Sequence, residues 1–81
     1  MKTIDAESLV RACVREVAPE ADLDALAPDA DLRETLYLDS LDFLRFVELL
    51  SEGSGRRIEE EEYPRLGSLA ATIAFLAEAE R

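Results

Sequence analysis

The chain has 81 residues, with 19 Asp or Glu, 9 Lys or Arg and no histidine, for a formal charge of -10. That length holds one domain around one small core, spanning residues 1–81. The missing histidine excludes Ser-His-Asp and Cys-His nucleophile pairs, the HExxH zinc site and any imidazole base, so an autonomous enzyme is not expected. The carboxylate excess repels phosphates, which argues against nucleic-acid or anionic-membrane partners and for partners with a basic docking surface. A lone cysteine, Cys13, can neither staple the fold nor build a thiolate metal site, and fits a reducing compartment. Nothing at the start reads as a leader and no apolar run approaches membrane-spanning length. These features read as a cytoplasmic monomer, mature from Met1. Apolar residues make up 48% of the chain and recur periodically, so burial offsets chain entropy and the acidity does not imply disorder.

The first helix is predicted from Thr3 to Val17, with Ala6, Leu9, Val10, Cys13 and Val17 on one arc at about 100° per residue. Thr3 or Asp5 is the expected cap, and Pro19 ends the helix. Residues 18–39 read as a long loop with a short turn at Leu23 to Leu26, pinned to the core by Leu23, Leu26, Leu32 and Leu36. A loop of that length in so small a domain is usually functional. A second long helix is predicted from Ser40 to Glu52, stopped by Gly53-Ser54-Gly55. One helical turn from Ile58 to Tyr63, ended by Pro64, precedes a last helix capped by Ser68, with Leu69, Thr72, Ile73 and Leu76 on one face. No alternating run supports a strand. The expected architecture is all-α, a small four-helix bundle of three longer helices and one short one.

The second long helix carries two apolar groups. Phe43, Phe46, Val47 and Leu50 sit at i, i+3, i+4 and i+7, a complete core stripe. Leu41 and Leu44 lie on the opposite, charged side with Arg45, Glu48 and Glu52, which reads as a docking patch or as ordinary exposed leucines. Ser40 opens the helix between Asp39 and Asp42. Asp39 or Ser40 can serve simply as N-cap, but a helix start also favours a phosphate, because its N–H groups are unpaired and the dipole is positive there.

Other patterns have structural readings. Cys13 lies on the buried arc and reads as a core filler. Asp29-Ala30-Asp31 starts like a calcium loop, but Glu34 stands at the glycine position and Ser40 at the final ligand position, so that site is rejected. Glu59 to Glu62 reads as a solvated turn, and Arg56-Arg57 as cations near the negative end of the second long helix.

Asp39-Ser40-Leu41-Asp42, opening a helix in a small acidic chain, resembles the attachment motif of acyl carrier proteins. The likeness extends to Leu32 ahead of the motif, Ile58 with Glu59-Glu60-Glu61-Glu62, Leu66, Ser68-Leu69, and the Ile73, Phe75 and Leu76 face of the last helix. The resemblance implies a non-catalytic group carrier whose Ser40 bears covalent 4'-phosphopantetheine, transferred from coenzyme A by a phosphopantetheinyl transferase, with Asp39 and Leu41 completing the motif. It further implies weak, rapid docking with acyl-activating, acyltransferase or synthase enzymes of fatty-acid, polyketide or specialised lipid biosynthesis. Leu41 and Leu44 would be the apolar centre, and Asp39, Asp42, Glu48 and Glu52 the acidic rim.

Three positions depart from the pattern. Tyr37 replaces the usual Gly, which implies a different backbone path toward Ser40. Arg45 replaces a frequent acidic docking residue, which implies a dedicated partner bearing a matching carboxylate. Glu59 replaces a frequent Pro. Phe43, Phe46 and Phe75 fill the space where fatty-acid carriers fold the acyl chain, so the expected cargo is short, polar or held outside. Two alternatives stay open: an aminoacyl or peptidyl carrier, against which Tyr37-Leu38 argues, and a helical interaction module whose serine is unmodified.

Overall fold

The computed structural model describes residues 1–78, all-helical and without strands among them. In chain order the α-helices are α1 (Thr3–Val17), a four-residue α2 (Leu32–Thr35), α3 (Ser40–Ser54) and α4 (Leu69–Glu78). A 3₁₀ turn, Leu23–Ala25, precedes α2, and a longer 3₁₀ segment, Glu60–Leu66, lies between α3 and α4.

The molecule measures 33 × 24 × 18 Å, so its shortest axis admits about two helix diameters. Each helix therefore buries one stripe. Against the expected arc, α1 buries Ala6, Val10, Cys13 and Val14, and packs on both α3 and α4. Leu9 and Val17, at the margins of that arc, are half-buried. The α3 stripe is buried as its spacing predicts, through Phe43, Phe46, Val47 and Leu50. From α4 come Leu69, Thr72, Phe75 and Leu76, while Ile73 stays half-buried at the edge. Thr72 is tolerated inside because its hydroxyl donates to the Ser68 carbonyl at 2.7 Å.

The chain ends of the helices follow local chemistry. Ser68 Oγ accepts from the Ala71 amide at 3.1 Å, as expected of a cap. Gly55 ends α3 at φ 69°, where a side chain would be strained, so the helix runs two residues past Glu52. The expected cap of α1 is corrected. Lys2 occupies that place with no side-chain bond, and neither Thr3 nor Asp5 caps the helix.

The long loop contains more structure than its sequence shows. Asp31 Oδ1 accepts from the Glu34 amide at 3.0 Å and starts α2, a helix too short to display a 3.6-residue period. Leu23, Leu26 and Leu32 are buried, Leu36 is half-buried, and Leu38 joins the core as a further pin. Two backbone bonds stitch the loop to the α4 end of the bundle, Leu32 N–H to Gly67 O at 2.8 Å and Ala70 N–H to Pro28 O at 2.9 Å.

The Ile58 to Tyr63 turn is also corrected. The 3₁₀ segment starts at Glu60 and runs through Pro64 to Leu66. Proline fits because so short a segment asks little of its missing N–H. Arg56 directly follows the Gly55 stop of α3, but its side chain turns away from that helix. It crosses to α4, 4.1 Å over the Phe75 ring, donates to the Phe75 carbonyl at 3.3 Å and pairs with Glu62 at 3.3 Å. Arg57 remains exposed and pairs with Glu59 at 3.0 Å.

Candidate functional site

Ser40 is the first residue of α3, exposed at the end of the stitched loop. The capping duty falls on its neighbours. Asp39 Oδ1 accepts from the Asp42 amide at 2.8 Å, and Asp42 Oδ2 accepts from the Asp39 amide at 3.4 Å, a reciprocal capping box. The Ser40 hydroxyl therefore has no structural task among the described residues, and the Ser40 and Leu41 amides find no protein acceptor. A free hydroxyl and two open N–H groups at the positive end of a 15-residue helix suit a phosphodiester. The residues present thus fit a phosphate-linked group. Both nearby carboxylates hold amides of the cap, and the chain has no histidine to act as a base for the serine.

The outward face of α3 presents Leu41, 76% exposed, and Leu44, 41% exposed. Arg45, Glu48 and Glu52 are exposed on the same helix. Asp42 is half-buried with its carboxylate in the capping box, and so contributes less to an outer rim than a free side chain. Arg45 reaches Glu16 of α1 at 3.7 Å, with both side chains more than half exposed. Such a pair is worth at most about 1 kcal/mol, so a partner's carboxylate can take the place of Glu16.

Tyr37, which the sequence marks as standing in place of a usual glycine, lies in the loop just ahead of the site. Its φ is 56°, the left-handed region that glycine occupies freely. At that φ the tyrosine holds a conformation that glycine adopts without strain. The ring gains little burial in return, being 90% exposed, three residues ahead of Ser40.

Cys13 lies apart from this site. Burial, with a smaller contribution from Glu16, pushes its thiol up to about 11. A neutral, enclosed thiol is a core group and not a nucleophile. No cluster among the described residues has the His, Cys, Asp and Glu needed to hold a metal ion, and no helix there is long and apolar enough to cross a membrane.

A small helical bundle that presents one unengaged serine at a helix start has the build of a carrier domain. Residues 8–76 match the family model described as the phosphopantetheine attachment site, and the chain belongs to that family. It is accordingly a phosphopantetheine carrier, of a family that is not catalytic in itself and that works with phosphopantetheinyl transferases and biosynthetic enzymes. No curated protein matches the chain.

Proposed function

We propose that Ser40 is the attachment point and that the protein is an acyl carrier serving fatty-acid, polyketide or specialised lipid biosynthesis in the cytoplasm. The observation that carries the assignment is the division of labour at the start of α3. Asp39 and Asp42 cap the helix, leaving an exposed Ser40 hydroxyl with no other work.

Ser40 Oγ takes the 4'-phosphopantetheinyl group of coenzyme A by attack on its phosphorus. The new Oγ–P bond replaces the P–O bond of the diphosphate, adenosine 3',5'-bisphosphate leaves, and the hydroxyl proton passes to a base on the transferase. The Ser40 and Leu41 amides, which have no protein acceptor among the described residues, would be available to the phosphodiester charge. When bound, the arm supplies a thiol that holds an acyl group as a thioester, the reactive chemistry belonging to the cofactor and its positioning to the protein. Tethering raises the effective concentration of cargo at each docked enzyme. Leu41 and Leu44 form the apolar centre of docking, with Glu48 and Glu52 steering and Arg45 selecting partners that offer a carboxylate.

The test is incubation with coenzyme A and a broad-specificity phosphopantetheinyl transferase, followed by intact mass measurement. The expected result is a gain of one phosphopantetheine in the wild type and none in Ser40→Ala, which stays folded because Asp39 still caps α3. An unchanged wild-type mass with several transferases, or a gain that survives in Ser40→Ala, overturns the assignment.

A further inference from the structure

One turn along α3 from Ser40, three side chains from three elements meet. Phe43 of α3 lies edge-on to Tyr63 of the 3₁₀ segment, with ring centroids 6.1 Å apart. The Arg33 guanidinium of α2 covers the Phe43 ring at 5.3 Å. Behind them, Phe46 forms a second layer, 6.1 Å from Phe43 and fully buried. Phe43 itself is 9% exposed. Outside this cluster lies an open cleft of about 340 Å³, walled by Asp31, Arg33, Phe43, Tyr63, Pro64 and Gly67.

We infer that Arg33, Phe43 and Tyr63 form a closed gate across the seam between α3 and the 3₁₀ segment, so that this carrier holds its acyl group outside the core. The inference rests on Ser40 as the attachment point. For an alkyl chain tethered there to pass between α3 and the 3₁₀ segment, Tyr63 must leave Phe43 and the segment must swing away. Its other attachments oppose that movement. Arg56 and Arg65 cover the Phe75 ring from 4.1 and 4.8 Å, Arg56 holds Glu62, and Arg65 holds Glu78. The backbone bond from Leu32 to Gly67 ties the next residue of that stretch to α2. Opening the seam breaks several of these at once, and close-packed aromatic cores leave little volume for a guest. The cleft outside offers an aromatic floor beside the Arg33 cation and the Asp31 carboxylate, which suits a short or polar acyl group.

The experiment loads the full chain from octanoyl-coenzyme A with a phosphopantetheinyl transferase, verifies the product by intact mass, and compares methyl NMR spectra of the coenzyme A-loaded and octanoyl forms. The expected wild-type result is that methyls of Val47, Leu50 and Leu66 keep the same positions in both forms. In the Arg33→Ala/Tyr63→Ala double variant, octanoylation is expected to shift them. Phe43→Leu, which opens the same place while keeping an apolar side chain, is the second variant and should show the same shift if the double variant does not fold. Core shifts in the loaded wild type overturn the gate and leave Ser40 standing. So does a folded, loaded variant whose core methyls stay still. No gain in mass overturns the Ser40 assignment and the gate with it.

Discussion

Tyr37 is the most conspicuous single residue, because the backbone bears a cost there that the side chain does not offset. A left-handed conformation costs an L-residue about 1–2 kcal/mol, and a ring that is 90% exposed recovers little by packing. Part of the gain from glycine is lost to its greater freedom in the unfolded chain. Tyr37→Gly is therefore expected to stabilise the fold by about 0.5–1 kcal/mol, measured by urea unfolding; a loss of stability would mean that the ring packs. Cys13 gives a pH-dependent prediction. Its thiol ionises near 9.0 when exposed and near 11 in the fold, so the unfolded chain loses the proton first as pH rises. Stability is fully present below pH 9 and declines toward pH 11, by about 2–3 kcal/mol from this group. Cys13→Ala is less stable at neutral pH, but its stability should fall less steeply over that interval in chemical denaturation.

Among the elements, the 3₁₀ segment Glu60–Leu66 depends most on tertiary partners, since so short a helix has no stability of its own. Arg56 fastens it by stacking on Phe75 and pairing with Glu62, with its side chain about one-third exposed. Arg56→Met keeps the stem and removes the cation. It should cost about 1–2 kcal/mol and speed amide hydrogen exchange in the 3₁₀ segment more than in α1. Equal acceleration in both elements would show that Arg56 supports the whole bundle evenly. α3 behaves differently, because its apolar spacing, Asp39–Asp42 box and Gly55 stop all specify the same helix. This agreement is what frees Ser40, since the helix start does not need its hydroxyl.

For the whole molecule, a charge of -10 is spread over a body only 33 Å long. At about 0.01 M ionic strength the screening length is ~30 Å and every carboxylate repels nearly every other; at about 0.15 M it is ~8 Å and only neighbours interact. Melting temperature should therefore rise with added salt across that range, as self-repulsion is screened. A fall would mean that the surface ion pairs, such as Arg57–Glu59 and Arg11–Glu7, outweigh the repulsion. The same screening should slow association with docking enzymes if the acidic rim steers them.

Residue order by itself determined the long helices and the α3 core stripe, because their periods repeat over several turns and any fold must bury them. It also placed Asp39, Ser40 and Asp42 together at a helix start. It did not reveal α2, which is too short to show a period, nor the 3₁₀ run through Pro64, which is held by side chains far along the chain. Which of the two residues suited to the cap takes it shows only in the geometry of that first turn, where Asp39 and Asp42, three residues apart, share the cap and leave Ser40 free. Tertiary structure alone brought Arg33, Phe43 and Tyr63 together, and turned Arg56 from the end of α3 onto Phe75. The physical reason is plain: a period or a cap is a local property of the chain, whereas the partner of a ring or a guanidinium is set by how the helices pack.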